Sequence, residues 1–170
     1  MIAIFSDTHS TAGHALEGAA LTAAREADIV VHAGDLTSET ALEAFQEECD
    51  RFLAVHGNAD SAAVRDRLPT ARVVEADSLR IAVTHRQDGG ETGLAMFGRS
   101  RGADLVVFGH SHRPTAIETD DLTLLNPGSH AEPRGNRPGF AVLKHDDEAL
   151  VGTIQQPDGT VIDSIVIRPA

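Results

Sequence analysis

With 170 residues and 41% hydrophobic content, the chain is long enough for one compact core but hardly for two, and too apolar to be disordered. It has no run approaching ~18 apolar residues, which excludes a membrane-spanning helix. Cys49 is the only cysteine, which excludes an intrachain disulfide and a thiolate metal cage and fits a reducing cytoplasm.

A net charge of -12 argues against unspecific nucleic-acid binding, which depends on basic phosphate contacts. Lys144 is the sole lysine among 14 basic residues. Two readings fit that imbalance: a salt-rich cytoplasm, where self-repulsion is screened, or a high-GC genome that favours Arg over Lys. The N-terminus, MIAIFSDTHS, has no basic segment and no cleavage pattern, so a cytoplasmic protein is expected.

IAIF at 2–5 reads as a buried strand running into the polar loop SDTHS. Residues 12–26 are alanine-rich with apolar positions at helical spacing. DIVVHAGD gives a second strand and loop, and SETALEAFQEE a helix with Ser38 as N-cap and Ala41, Leu42 and Phe45 on one face. RFLAVHGNAD is a third strand with a polar end. This alternation predicts a mainly parallel sheet covered on both faces.

ARVVEAD and LRIAVTH form a hairpin around Asp77 and Ser78, ETGLAMFGRSRG is a helix ending near Gly102, and ADLVVFGHSH is another strand. From residue 113 the chain becomes short strands divided by turns such as DD, DDE and PDG, expected as an antiparallel sheet beside or continuing the first. No linker separates the halves, so residues 1–170 read as one domain.

The strand ends carry the chemistry. The first stops at Asp7 and His9, the second at Asp35, the third at Asn58 and Asp60, a later one at His85, and the next at His110 and His112. In a parallel sheet such ends share one edge, where ligands bind. Asp and Asn suit ordinary turns, but four histidines at those same ends do not. Setting Asp60 aside, one metal ion would not use the other seven groups, whereas two divalent ions about 3.5–4 Å apart sharing a carboxylate would. Imidazole mixed with carboxylate suits Mn, Fe, Zn, Ni or Co better than a dedicated Mg or Ca cage.

The order D-x-H, GD, GN-x-D, a lone H and GH-x-H resembles the calcineurin-like metallophosphoesterase superfamily. The small size and NPGS at 126–129 resemble its compact branch, the YfcE-type phosphodiesterases related to the Vps29 retromer subunit. The resemblance implies a four-layer α/β/β/α sandwich with mixed sheets and a phosphodiesterase acting on a small diester. It implies that Asp7, His9 and His112 bind one ion, that Asn58, His85 and His110 bind the other, and that Asp35 bridges. Asp35, Asn58 and His85 would then be the metal-centred catalytic residues. The implied mechanism is in-line attack on phosphorus by a metal-bridging hydroxide. Mn²⁺ is the first choice of metal, with Ni²⁺, Zn²⁺, Fe²⁺, Co²⁺ or Mg²⁺ as alternatives. Vps29 keeps this fold as a binding subunit, so a non-catalytic scaffold is the rival reading and a phosphomonoesterase a third. No membrane partner is expected, and short C-terminal strands leave a homodimer open.

Two positions depart from the pattern. Ala59 stands where many members carry a histidine that assists the leaving group, and Asp60 beside it reads as the N-cap of the helix SAAVRDRL. THRQ at 84–87 replaces the usual HGH, leaving Arg86 as a phosphate contact or a solvated loop residue and Gln87 as a support for the site. His130, after NPGS, is a candidate for the missing proton donor. His32 and His56 read as packed strand-end residues, and His14 and His145 as surface residues. Asn126 and Ser129 read as turn-shaping, and Gly34, Gly57 and Gly109 as permitting close backbone approach.

Overall fold

The computed structural model describes residues 1–76, 78–146 and 149–167. Its first half runs β1 (Ile2–Phe5), α1 (Gly18–Glu26), β2 (Ile29–His32), α2 (Glu39–Glu48), β3 (Phe52–Ala54) and α3 (Ala62–Arg67). Then follow β4 (Ala71–Ala76), β5 (Leu79–Thr84), α4 (Gly90–Arg99), β6 (Leu105–Val107), β7 (Thr115–Glu118) and β8 (Thr123–Asn126). The chain closes with β9 (Phe140–Asp146), β10 (Ala149–Gln155) and β11 (Val161–Ile167).

These strands form two mixed sheets, ordered β11-β10-β9-β1-β2-β3 and β4-β5-β6-β8-β7. In the first, β1, β2 and β3 are parallel while β9, β10 and β11 meander antiparallel beside them. In the second, β5, β6 and β8 are parallel, with β4 and β7 antiparallel at the edges. The C-terminal strands thus divide between the sheets: β9–β11 continue the first, and β7–β8 complete the second.

Side-chain alternation sets the layers. Ile4, Val31, Ile81, Val83, Leu105, Val107 and Leu125 pack between the sheets. Their neighbours Phe5 and Val30 face outward onto Ala20, Ala24, Leu42 and Phe45 of α1 and α2 and Val64 of α3. Ala82, Val106 and Leu124 face outward on the other side, onto Leu94 and Phe97 of α4. With both faces covered, these central strands are apolar throughout, which is why they read as continuous hydrophobic runs.

Three local expectations change. The predicted helix over 12–26 begins only at Gly18, because His14 Nδ1 accepts the Leu16 amide and Ala15 adopts φ 53°. The N-cap of α3 is Ser61, whose hydroxyl accepts the Val64 amide, and Asp60 is engaged elsewhere. The metal-type strand ends come from two facing sheets, since β4 pairs locally with β5 in a hairpin and opens a new sheet instead of extending β3. The hairpin itself is as expected, although Asp77 at its turn lies outside the described residues, as do Asp147 and Glu148 of the later turn. Ser38 caps α2 as read, accepting the Ala41 amide at 3.1 Å, a contact typically worth ~1 kcal/mol.

Candidate metal centre

Because β1, β2 and β3 are parallel in one sheet and β5 and β6 in the other, their C-terminal ends open toward one edge of the sandwich. The loops there are zipped together beyond the strands: the Asp7 amide donates to the Gly34 carbonyl at 2.9 Å and the His9 amide to the Asp35 carbonyl at 3.0 Å. Gly109, after β6, donates its amide to the His85 carbonyl at 3.0 Å.

Two overlapping groups of ligand-type side chains result, Asp7–His9–His112 and Asp7–Asp35–His85, each with donor atoms within 4.8 Å of one another. Asp35 Oδ2 lies 3.2 Å from His9 Nε2 and 3.2 Å from His85 Nε2, so it stands between the two rings. Asp7 Oδ1 is 3.5 Å from His112 Nε2 and 4.0 Å from His85 Nε2, which puts Asp7 in both groups. Asn58 Oδ1 is 3.1 Å from His85 Nε2 and 2.9 Å from His110 Nδ1. All seven residues singled out from the sequence are therefore brought together. Asp7, Asp35, His85 and His112 form a buried floor, and Asn58 and His110 an exposed rim.

The backbone is strained to achieve this. Asp7, His9, Asp35, His110 and His112 all have φ between 45° and 76°, a region that costs an L-residue roughly 1–2 kcal/mol. Such outliers persist only where the surroundings over-determine them, and they cluster at functional sites. The glycines make room: a Cβ on Gly57 would lie 2.2 Å from Asp35 Oδ1, and one on Gly109 would lie 2.6 Å from Asp7 Oδ2.

Supporting contacts hold these side chains in register. His85 Nδ1 donates to the Ala33 carbonyl at 2.8 Å, and His112 Nδ1 to the Glu132 carbonyl, leaving both Nε2 lone pairs facing the carboxylates. An imidazole tied through its second nitrogen to a carbonyl is the usual arrangement of a metal-ligating histidine. Asp7 accepts from the Ser6 hydroxyl at 2.7 Å and the His110 amide at 3.0 Å. The Ser129 hydroxyl donates to the Asp7 carbonyl at 2.6 Å, and the Asn126 amide to the Gly109 carbonyl at 3.0 Å, so NPGS braces the site as expected of a turn.

Charge is concentrated here, and among the described residues no lysine or arginine pairs with Asp7 or Asp35. Burial raises the Asp7 pKa, outweighing the lowering effect of His85 and the Ser6 hydroxyl. Burial would also raise that of Asp35, but His85, His9 and the Ala59 amide overcome it and hold the carboxylate well below its usual range. For His85, burial opposes charge while Asp35 and Asp7 favour it, and its pKa is raised. His9 Nε2 is buried with no hydrogen-bond partner among the described residues. Buried carboxylates, imidazole lone pairs and an orphaned ring nitrogen fit a divalent cation of the borderline transition series.

Other expectations are corrected by the geometry. His130 does not offer a proton to the cleft: its Nε2 meets the His14 carbonyl at 2.9 Å and its ring packs edge-on against Phe5. Burial brings its pKa down to about 4. Asp60 accepts the amides of Asp35 at 3.0 Å, Thr37 at 2.6 Å and Gly57 at 2.7 Å, tying the loop after β2 to the loop after β3. His14 is partly buried, 3.2 Å from Glu48, and not a free surface residue. His32 is fully buried, with Nε2 2.8 Å from the Thr8 hydroxyl, as a packed residue should be. Arg86 lies on the cleft wall, where its charge helps burial and His85 lower the His110 pKa, and Gln87 donates to Thr84 at 3.0 Å. Sequence reasoning missed Glu132, whose carboxylate lies 3.7 Å from His9 Nδ1; an isolated acid after a turn gives no signal of its own. Cys49 is buried, and burial pushes its thiol up to about 12, away from thiolate chemistry.

The family model described as the calcineurin-like phosphoesterase superfamily domain matches residues 1–148. A probable metallophosphoesterase of Methanothermobacter thermautotrophicus is 33% identical over 99% of this chain and 99% of its own length. The phosphodiesterase YfcE of Escherichia coli is 28% identical over 75% of this chain and 69% of its own. Among solved structures, wild-type Vps29 of Entamoeba histolytica complexed with Zn²⁺ superposes with a TM-score of 0.78 at 21% identity, covering 97% of this chain and 98% of that one. The two-sheet fold and its ligand-lined edge are those of a metallophosphoesterase. The chain belongs to the calcineurin-like phosphoesterase superfamily.

Proposed function

We propose that this metallophosphoesterase is a phosphodiesterase that works with two divalent ions and takes a small phosphodiester. The observation that carries the reading is the overlap of two buried Asp/His groups at Asp7, opening onto a cleft of about 870 Å³ beside Asn58 and His85. Asp7, His9 and His112 would hold one ion, Asn58, His85 and His110 the other, with Asp35 between them; Mn²⁺ suits this set. Divalent ions supply Lewis acidity to a phosphoryl group and make water a stronger nucleophile at neutral pH.

The chain's own residues do the rest. The carbonyls of Ala33 and Glu132 fix the tautomers of His85 and His112, so each presents a lone pair and not a proton. Asp35 Oδ1 accepts the Ala59 amide at 2.8 Å, a contact that favours the ionised carboxylate. Hydrolysis joins a water oxygen to phosphorus, breaks one ester P–O bond and delivers a proton to the departing alcohol. Ala59 sits at the rim with no titratable side chain, and His130 is turned away, so neither of these positions protonates the leaving group. That favours diesters with good leaving groups over poor ones.

The test is cleavage of bis-p-nitrophenyl phosphate beside p-nitrophenyl phosphate by metal-stripped protein, with and without Mn²⁺, at low and molar KCl. Mn²⁺-dependent cleavage of the diester is expected. The likeness in fold to Vps29 keeps a metal-binding scaffold as the rival, and no cleavage of either ester by folded, metal-loaded protein would favour that scaffold or a very selective enzyme.

A further inference from the structure

The cleft beside Asn58 and His85 is far larger than a phosphate group needs and lies in the size range of sites for drug-sized ligands. One wall is α4, which leads away from the ligand edge; its ten residues, Gly90–Arg99, span about 15 Å. In a protein of net charge -12, this cleft is lined by Arg65, Arg86 and Arg101 against one acidic residue, Asp88.

The three guanidinium groups are weakly neutralised. Arg65 donates to the Asn58 carbonyl, and Arg101 to the Phe97 carbonyl and the Ser100 hydroxyl; neither has a carboxylate partner among the described residues. Arg86 reaches Asp88 only at 3.5 Å, in an exposed pair. Arg65 and Arg86 stand at the near end, the first bonded to the backbone of Asn58 and the second following His85 in the chain. At the far end Met96 is 64% exposed, and the Arg101 guanidinium lies 3.8 Å over the buried Phe97 ring.

On the reading above, that the site cleaves phosphodiesters, we propose that this cleft seats one arm of the substrate and that the arm is nucleotide-like, with a second phosphate of its own. Arg65 and Arg86 receive that phosphate, and Met96 with the Arg101–Phe97 stack receives the planar base. The planar guanidinium fork can donate to two oxygens of one phosphate at once. Met96 is adaptable enough to lie against a base.

Two chromogenic diesters separate the second phosphate from everything else: thymidine 5′-(4-nitrophenyl phosphate) and its 3′-phosphorylated counterpart share a leaving group. With the full chain supplied with Mn²⁺, the 3′-phosphate is expected to raise kcat/KM about tenfold or more, the scale of one charge-assisted contact to arginine. Arg86→Gln and Arg65→Gln should each shrink that ratio. A ratio near one, or a ratio that both variants leave intact, overturns the proposal. Calorimetric binding of thymidine 3′,5′-bisphosphate against thymidine 5′-phosphate reads the same contacts without turnover. Preference for the bisphosphate supports the subsite even in a chain that cleaves no diester, and equal affinities overturn it.

Discussion

Asp60 and Asp35 are joined by one hydrogen bond: the Asp35 backbone amide donates to Asp60 Oδ2 at 3.0 Å. The same buried carboxylate holds the Gly57 and Thr37 amides, so it fixes the loops that carry Asp35 and Asn58 through their backbone. Asp60→Ala strands three amides and is expected to cost roughly 2–4 kcal/mol. It should also weaken metal retention, with urea unfolding and metal titration as the two readouts. A variant as stable as the parent would mean that water takes over those amides.

Asp35 stands between His9 and His85, whereas the carboxylate that His112 Nε2 meets among the described residues is Asp7. Asp35→Asn is therefore expected to impair binding of both ions, and His112→Ala mainly one. Calorimetric stoichiometry measures this directly. Equal partial losses in the two variants would count against Asp35 as the shared ligand.

Ala59 lies exposed at the rim, its amide donating to Asp35 Oδ1 at 2.8 Å. Ala59→His places an imidazole at that rim. Activity should rise on diesters of poor leaving groups by up to ~10²-fold, and far less on nitrophenyl esters, whose departure needs no proton. Equal changes on both classes would show that protonation does not limit the reaction.

His130 is held near a pKa of about 4 by burial, against ~6.5 in an unfolded chain. Between those values the unfolded state binds a proton that the folded state refuses. Stability is thus intact above pH ~6.5 and declines as pH falls toward 4, by on the order of 3 kcal/mol in all. Burial shifts His32 in the same direction. Urea midpoints at about pH 7.5 and 5 should fall further apart in the parent than in His130→Gln. Identical pH dependence would assign the acid loss to other groups.

Much of this was legible because strand ends and ligand-type residues coincide in the sequence. His85, His110 and His112 stop apolar runs where turns have no use for imidazole, and that anomaly located the site. What could not be read was which runs share a sheet. β1 and β5 look alike as apolar runs, yet β4 folds back on β5 and places the two in different sheets. Asp60 was misassigned for a related reason. An aspartate just before a helix satisfies the local capping rule, and only the tertiary approach of the loops after β2 and β3 reveals its real acceptors.

The left-handed backbone at five of the metal-type residues has a consequence for how this protein tolerates change. Glycine would occupy the same φ of 76° at His110 without strain, and there it would relax the chain by up to ~1 kcal/mol while deleting a ligand-type side chain. Robustness and chemistry therefore pull in opposite directions at these positions. A library of variants sorted on heat tolerance alone would drift toward glycine at the site, and its sturdiest survivors would be the ones least able to hold a metal.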